Sequence, residues 1–282
     1  MRYALCNGSL IPHGEALIPI EKKEVLFSFG VYESLKVREG VPLFLDEHLQ
    51  RFFESARIME LSHPFDAEGI SRGLYDLIEQ NGVREATVRI QMYGGEDPFY
   101  YAFVSRLPRY PGWYYREGIE TVSYRGERFL PRAKSNCLLL NYMAQRAADR
   151  AGAAEALLID HDGNALEGSR SNLFALSEGR LLTPGENVLH GVTRSHIIES
   201  CRNLPLRIEY RPPKVRDIFE GRYDGIFISS TSMGAVPLRG LDGKQLSSDP
   251  ARRRALLETT EALNWHLREM ERMDIEKKSG RR

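Results

Sequence analysis

Apolar and polar positions divide the chain into strands and helices before any other property is considered. Tyr3–Cys6 reads as a strand that turns at Asn7-Gly8 and returns through Leu10 and Ile11, since Asn-Gly suits a tight hairpin. A second strand, Val31–Val37, reaches a Glu39-Gly40 turn and the apolar run Pro42–Leu45. Asp46 then stands where a helix N-cap is expected, ahead of Leu49, Phe52, Phe53 and Ala56 at helical spacing. A second helix is expected from Asp66 to about Gln80, with Ile70, Leu74, Leu77 and Ile78 inward and Gly82 past its end. Val88, Ile90 and Met92 alternate with Arg89, Gln91 and Tyr93, which predicts a strand buried on one face.

The stretch Arg106–Gly118 carries two prolines and little periodicity, so it reads as a linker. Beyond it the pattern gives a strand (Ile119–Tyr124), a helix (about Leu138–Ala151) and a strand (Ala156–Ile159). An Asp162-Gly163-Asn164 turn leads to a further strand through Glu167 towards Phe174. Leu181–Thr183, Arg194–Cys201 and Ile226–Ser229 supply more elements, and a helix of roughly Pro250–Glu271 precedes a basic tail. Strands and helices are mixed in both halves, which gives an α/β (α+β) fold with two domains.

Composition narrows the function. At 282 residues the chain is long enough for two modest cores. Its 39 basic and 39 acidic residues cancel, so no overall field favours nucleic acid or an anionic membrane. No apolar run reaches the roughly 20 residues that span a bilayer, and the start MRYALCNGSLIPHGE lacks the apolar core of a signal peptide. Cys6, Cys137 and Cys201 are an odd number without CxxC pairing, which argues against a disulfide framework and a zinc site. These features point to a cytoplasmic protein acting on small molecules, with no metal.

Several side chains carry candidate chemistry. Lys134 is the only lysine between Lys36 and Lys214, in PRAKSNCLLLNYMAQRAA. A lysine held among apolar neighbours is destabilised as an ammonium, and its neutral amine attacks carbonyls. A surface lysine at a helix start fits the same pattern. Glu167 lies where a strand meets Gly168, Ser169, Ser171 and Asn172. There a carboxylate suits a protonated ring nitrogen, and an edge-strand glutamate fits equally. His190-Gly191-Val192-Thr193-Arg194 opens a helix, whose N-terminal amides and threonine hydroxyl make an anion site or an ordinary cap. Ser229-Ser230-Thr231-Ser232 is a second hydroxyl cluster. Arg51 falls on the polar face of its helix, opposite Leu49 and Phe53, where pattern alone predicts a solvated arginine.

The order of these stations resembles a known family. GVYESLKV followed by FLDEHLQRFFESARI resembles the N-terminal half of class IV (fold type IV) aminotransferases. KSNCLLLNYMAQRAA, EALLIDHDGNALEGSRSNLF, LLTP, HGVTR, ISSTS and AVP resemble the C-terminal half, so the likeness spans about residues 3–240. It implies an N-terminal α/β domain (residues 1–113), a larger strand-rich C-terminal domain (residues 114–282) that binds pyridoxal 5′-phosphate, and a homodimer. It implies that Lys134 holds the cofactor as a Schiff base and shuttles the substrate proton. Glu167 would pair with the pyridine nitrogen, while Arg51, Val192, Thr193, Ser230 and Thr231 would hold the phosphate. Tyr32 and Tyr142 become candidates to touch the ring oxygen or the substrate.

The resemblance is nearest to D-amino acid aminotransferases, in length, in GVYE with Tyr32 and in EGS-x-SN. Two departures count against a simple transfer. Gly234 stands in TSMGAVP where a glutamate is common, one that aminodeoxychorismate lyases can also lack. The D-amino acid enzymes carry an arginine and a histidine after the strand equivalent to Val88–Tyr93, whereas this chain reads GGEDPFYYAF. An ionised substrate carboxylate needs a partner in a closed site. Arg170, in EGSRSN, is the expected substitute, because a guanidinium binds a carboxylate bidentately. The expected activity is transfer of an amino group between an amino acid and a 2-oxo acid. The alternatives are a 4-amino-4-deoxychorismate lyase and a branched-chain or amine transaminase.

Overall fold

The computed structural model describes residues 1–246 and 249–280, so Arg281 and Arg282 of the basic tail lie outside the described residues. The chain forms two units. One comprises Met1–Arg109, Arg132–Cys137 and Met270–Arg282, and the other Tyr110–Pro131 and Leu138–Glu269. The first division therefore falls at Arg109/Tyr110 rather than 113/114, and two later segments join the first unit. The reason is packing: Tyr110, Tyr114 and Tyr115, from the stretch read as a linker, pack on the core of the second unit.

The first unit contains β1 (Tyr3–Cys6), β2 (Ser9–Pro12), a short α1 (Lys23–Leu26), β3 (Gly30–Arg38), β4 (Val41–Pro42), α2 (Leu45–Ile58), α3 (Ala67–Gln80), β5 (Ala86–Tyr93) and β6 (Phe99–Ser105). Its six strands pair antiparallel in the order β2-β1-β6-β5-β3-β4. Val31, Leu35, Val88 and Ile90 bury one sheet face with Leu49, Phe52, Leu74 and Leu77 of α2 and α3. On the other face, Tyr32 pairs with Gln91 and Ser34 with Arg89.

Asp66 caps α3 by accepting from the Gly69 N–H, as its sequence predicts. The start of α2 differs from expectation. Its N-cap is Phe44, in the left-handed region at φ 52° and without a side-chain cap, and Asp46 lies in the first turn. The acceptor comes instead from Asp274, whose Oδ2 takes the Phe44 N–H at 2.8 Å. A carboxylate from the far end of the chain thus does the work that spacing assigned to Asp46.

The second unit contains α4 (Trp113–Glu117), β7 (Ile119–Arg125), α5 (Leu139–Arg150), β8 (Glu155–Ile159), β9 (Ala165–Gly168), β10 (Asn172–Ser177), β11 (Arg180–Thr183), α6 (Val192–Ser200), β12 (Arg207–Tyr210), α7 (Val215–Phe219), β13 (Gly225–Ser230), β14 (Gly234–Leu241), β15 (Lys244–Gln245) and α8 (Pro250–Ser279), of which the part from Met270 belongs to the first unit. The sheet runs β12-β11-β10-β13-β14-β7-β8-β9, and β9 pairs back on β10. The strands from β10 through β13, β14, β7, β8 and β9 therefore close into a circuit. Leu157, Ile159, Leu173 and Ile228 fill one face of it. On the other face Leu158 packs with Ala144 and Ala148 of α5, and Phe174 and Phe227 pack with Ile197 of α6 and Leu263 of α8.

Candidate active site

In the first unit, Lys134 is held by its backbone against β3. The Tyr32 N–H donates to the Lys134 carbonyl at 2.9 Å, and the Asn136 N–H donates to Gly30 O at 2.8 Å. Val31 and Ser135 form a β-bridge between these bonds. The Lys134 N–H itself donates to Ser55 Oγ of α2 at 3.0 Å, while that hydroxyl donates to Arg51 O at 2.7 Å. The lysine backbone is thereby pinned on two sides. Its Nζ lies 4.5 Å from the centre of the Tyr32 ring, within cation–π range.

Arg89 approaches that same ring, with Cζ 4.4 Å from its centre. Its Nε is buried and has no hydrogen-bond partner among the described residues. Tyr32 is thus flanked by two cations. The arginine had no place in the sequence reading of the site, although the alternation over β5 already put it on the face of Gln91, opposite Val88 and Ile90.

Arg51 is not solvated, as its helical position suggested; its side chain is 12% exposed. Its Nε and Nη2 donate to the two oxygens of Glu33, at 2.6 Å and 2.8 Å. Glu33 lies on the helix-facing side of β3 and is fully buried. Its Oε2 also meets His48 Nδ1 at 2.8 Å. Burial disfavours the Glu33 charge, but Arg51 and His48 outweigh it and hold the carboxyl well below the usual carboxylate range. Burial holds the His48 ring below its ordinary value, against the pull of Glu33, with the charges of Arg51 and Lys134 adding to the effect.

In the second unit, Glu167, Asn172 and Ser229 form one row across three adjacent strands, through the pairings Glu167↔Asn172 and Asn172↔Ser229. Directly opposed residues share a face, so these polar groups emerge together on the side that carries Leu158, Phe174 and Phe227. Glu167 is buried; its Oε2 accepts the Leu189 N–H at 3.1 Å, and its Oε1 lies 3.5 Å from Arg128. Asn172 Nδ2 donates to Leu189 O at 2.7 Å. Two neighbours in the row therefore tie down the Leu189–Gly191 turn that feeds α6. A Cβ on Gly191 would collide with the Asn172 amide oxygen, which makes glycine necessary at the helix start.

Val192 and Thr193 are the first two residues of α6, whose N-cap Gly191 has no side-chain cap bond. The amides of a first helical turn have no partner within the helix and favour an anion. Ser230 and Thr231 are half-buried at the end of β13. Beside them the Ser229 hydroxyl is buried with no partner among the described residues. An orphaned hydroxyl next to a hydroxyl cluster suits an oxygen-rich ligand.

The remaining expected residues stand apart from these groups. Arg170 is 53% exposed on its side chain and pairs with buried Glu155 at 3.7 Å, so its charge already has a partner. Tyr142 is 62% exposed on α5. Glu33, Ser55, Arg89 and Arg128 are contributors that sequence reasoning missed. Only Arg89 left a signal in the pattern. The other three act through contacts between residues far apart in the chain.

Comparison with known proteins identifies the family. Residues 30–241 match the model of the amino-transferase class IV family. The chain is 27% identical to the D-alanine aminotransferase of Bacillus licheniformis over 257 residues, covering 86% of this chain and 90% of the relative. It is 28% identical to a bifunctional aminodeoxychorismate lyase / D-amino acid transaminase of Mycobacterium tuberculosis, covering 86% and 92%. A hypothetical aminotransferase from Mycobacterium tuberculosis, solved in its PLP-bound form, superposes with a TM-score of 0.79 at 25% identity, covering 93% of this chain and 98% of that one. A branched-chain aminotransferase of Thermoproteus uzoniensis shares the fold at a TM-score of 0.81 and 22% identity, covering 93% and 95%. With the match running across both sheets and through Lys134 and Glu167, this chain belongs to the class IV aminotransferase family.

Proposed function

We propose that this enzyme is a pyridoxal-phosphate-dependent transaminase that moves an amino group between an amino acid, with a preference for the D form, and a 2-oxo acid. The observation that carries the reading is Lys134, an isolated lysine pinned at its backbone with its amine against the Tyr32 ring. The donor set fits the cofactor: an amine for its aldehyde, the buried Glu167 carboxylate for its ring nitrogen, and α6 amides with the Ser229–Thr231 hydroxyls for its phosphate. When bound, pyridoxal phosphate supplies an electron-withdrawing ring that lowers the barrier to removing the substrate's α-proton.

The chain's own residues then have definite tasks. Lys134 Nζ takes the proton from the substrate carbon and returns it. Glu167, fixed by the Leu189 amide and Arg128, would offer its carboxylate to the ring nitrogen. Arg51, Val192, Thr193, Ser230 and Thr231 would bind its phosphate oxygens. Tyr32 holds Lys134 Nζ over its ring face. The substrate carboxylate falls to Arg170 or to Arg89, and Arg89 is favoured because it shares the Tyr32 ring with Lys134.

The D preference is supported by the relatives named for D-alanine and D-amino acid transamination. A second reading, elimination from aminodeoxychorismate, is favoured by Gly234 after the hydroxyl cluster and by the bifunctional relative. Association into a homodimer is part of the proposal, supported by the exposed apolar side chains of Leu17, Ile20, Leu26 and Phe27. Three free cysteines, with no described helix long and apolar enough to cross a membrane, support a cytoplasmic setting.

The test is borohydride reduction of the protein loaded with pyridoxal phosphate, followed by peptide mass mapping. A reduced adduct on the Lys134 peptide is expected, and an adduct elsewhere with Lys134 untouched overturns the assignment. D-alanine with 2-oxoglutarate, compared with L-alanine, then decides the preferred hand. Turnover of aminodeoxychorismate without any 2-oxo acid would favour the lyase.

A further inference from the structure

A carboxylate in the middle of a buried strand face needs a reason. Glu33 sits on β3 between Val31 and Leu35, both fully buried, where an apolar residue would complete the stripe. Exchanging a buried ion pair for well-packed apolar groups is often neutral or stabilising, so stability alone is a weak explanation. Glu33 instead spends both oxygens on one geometry. Oε1 takes Arg51 Nε, and Oε2 takes Arg51 Nη2 and meets His48 Nδ1.

The proton inventory follows. Glu33 is ionised and can only accept, so His48 donates its Nδ1–H to it. The ring is kept neutral by burial, and its Nε2 is a lone-pair acceptor that is buried and without a partner among the described residues. Glu33 and Arg51 thus form a charge-balanced pair with a neutral imidazole braced against it. The fork–fork contact fixes the plane of the guanidinium, which a point cation such as lysine could not match. One turn along α2, Ser55 joins the Arg51 carbonyl to the Lys134 amide.

We infer that Glu33, braced by His48, is a positioning residue that fixes the plane of the Arg51 guanidinium so that it meets the phosphate of the cofactor. This rests on the reading of Arg51 as a phosphate contact. The two claims separate experimentally, because pyridoxal lacks the phosphate and shares the rest of the cofactor.

The experiment compares dissociation constants of pyridoxal phosphate and pyridoxal for the full-length protein and its Glu33→Gln variant, by equilibrium dialysis. The wild type should prefer the phosphorylated form. Glu33→Gln should lose about tenfold in affinity for pyridoxal phosphate, while pyridoxal changes less than about twofold, as loss of an oriented charge-assisted contact implies. Equal weakening of both ligands, or unchanged preference, overturns the inference. Glu33→Asp keeps the charge but withdraws the carboxylate from the fork, so it should show the same selective loss if Glu33→Gln folds poorly. A retained preference in folded Glu33→Asp overturns the inference as well. A wild type that binds both ligands equally overturns the phosphate reading itself, and the inference with it.

Discussion

Ser55 and Lys134, 79 residues apart, are joined by a hydrogen bond from the lysine's own backbone N–H to the serine hydroxyl at 3.0 Å. The same hydroxyl donates to the Arg51 carbonyl, and Ser55 is fully buried. Replacing Ser55 with alanine leaves the Lys134 N–H without its acceptor. A stability loss of about 1–3 kcal/mol is expected, measured by urea unfolding. Loss of pyridoxal-phosphate affinity should accompany it, since the lysine backbone is then free to shift. A Ser55→Ala protein with wild-type stability and affinity would mean that the bond holds nothing in place.

Arg89 and Arg170 compete for the substrate carboxylate, and their surroundings differ. Arg170 is half-exposed and already paired with Glu155, whereas the Nε of Arg89 is a buried donor without a partner among the described residues. Arg89→Gln should raise the amino-acid KM about tenfold or more, the scale of a lost charge-assisted contact. Arg170→Gln should change it less than about threefold. Steady-state kinetics on both variants distinguishes them, and the reverse order would return the role to Arg170.

The Glu33–His48 pair makes a pH prediction. His48 is held below its ordinary value near 6.5, so on acidification the unfolded chain takes up the proton first. The stability of the neutral ring is full above that value and falls as pH drops below it. Glu33 is held below its ordinary 4.5, so its contribution is present above 4.5 and is lost as pH falls through the folded value. The urea midpoint should therefore fall between about pH 7 and 5, and again below about 4.5. His48→Gln should remove up to one proton from the first slope, at most about 1.4 kcal/mol per pH unit. An unchanged slope in that variant would show that His48 takes up its proton alike in the folded and unfolded chain.

Asp274 caps α2 from the far end of the chain, 230 residues from Phe44. Its carboxylate also pairs with Lys278, which reaches Pro42 O, while nearby Glu271 pairs with Lys36 at 2.7 Å. Asp274→Ala should cost about 1 kcal/mol or more, the usual cost of a lost N-cap. Asp46→Ala should cost less, because Asp46 offers only a favourable charge in the first turn. Thermal or urea unfolding of both variants checks the order. A larger loss from Asp46 would restore the cap that local spacing suggested.

The sequence by itself determined the local elements and singled out Lys134 as a candidate. The period of α3 and its Asp66 cap, the alternation of β5 and the Asn7-Gly8 hairpin are set by neighbours a few residues apart, and such signals survive in one dimension. Lys134 stood out by the scarcity of lysine around it. What only the tertiary structure decided depends on partners from distant segments. Helical spacing put Arg51 on a polar face, yet a carboxylate from β3 buries and neutralises it. The return of β9 onto β10 sets Glu167, Asn172 and Ser229 in one row, which no spacing between 167 and 229 encodes. Ser55, Arg128 and Asp274 are ordinary polar residues in the sequence. They acquire their roles because a buried donor or an uncapped helix must be satisfied by whatever the fold brings within about 3 Å.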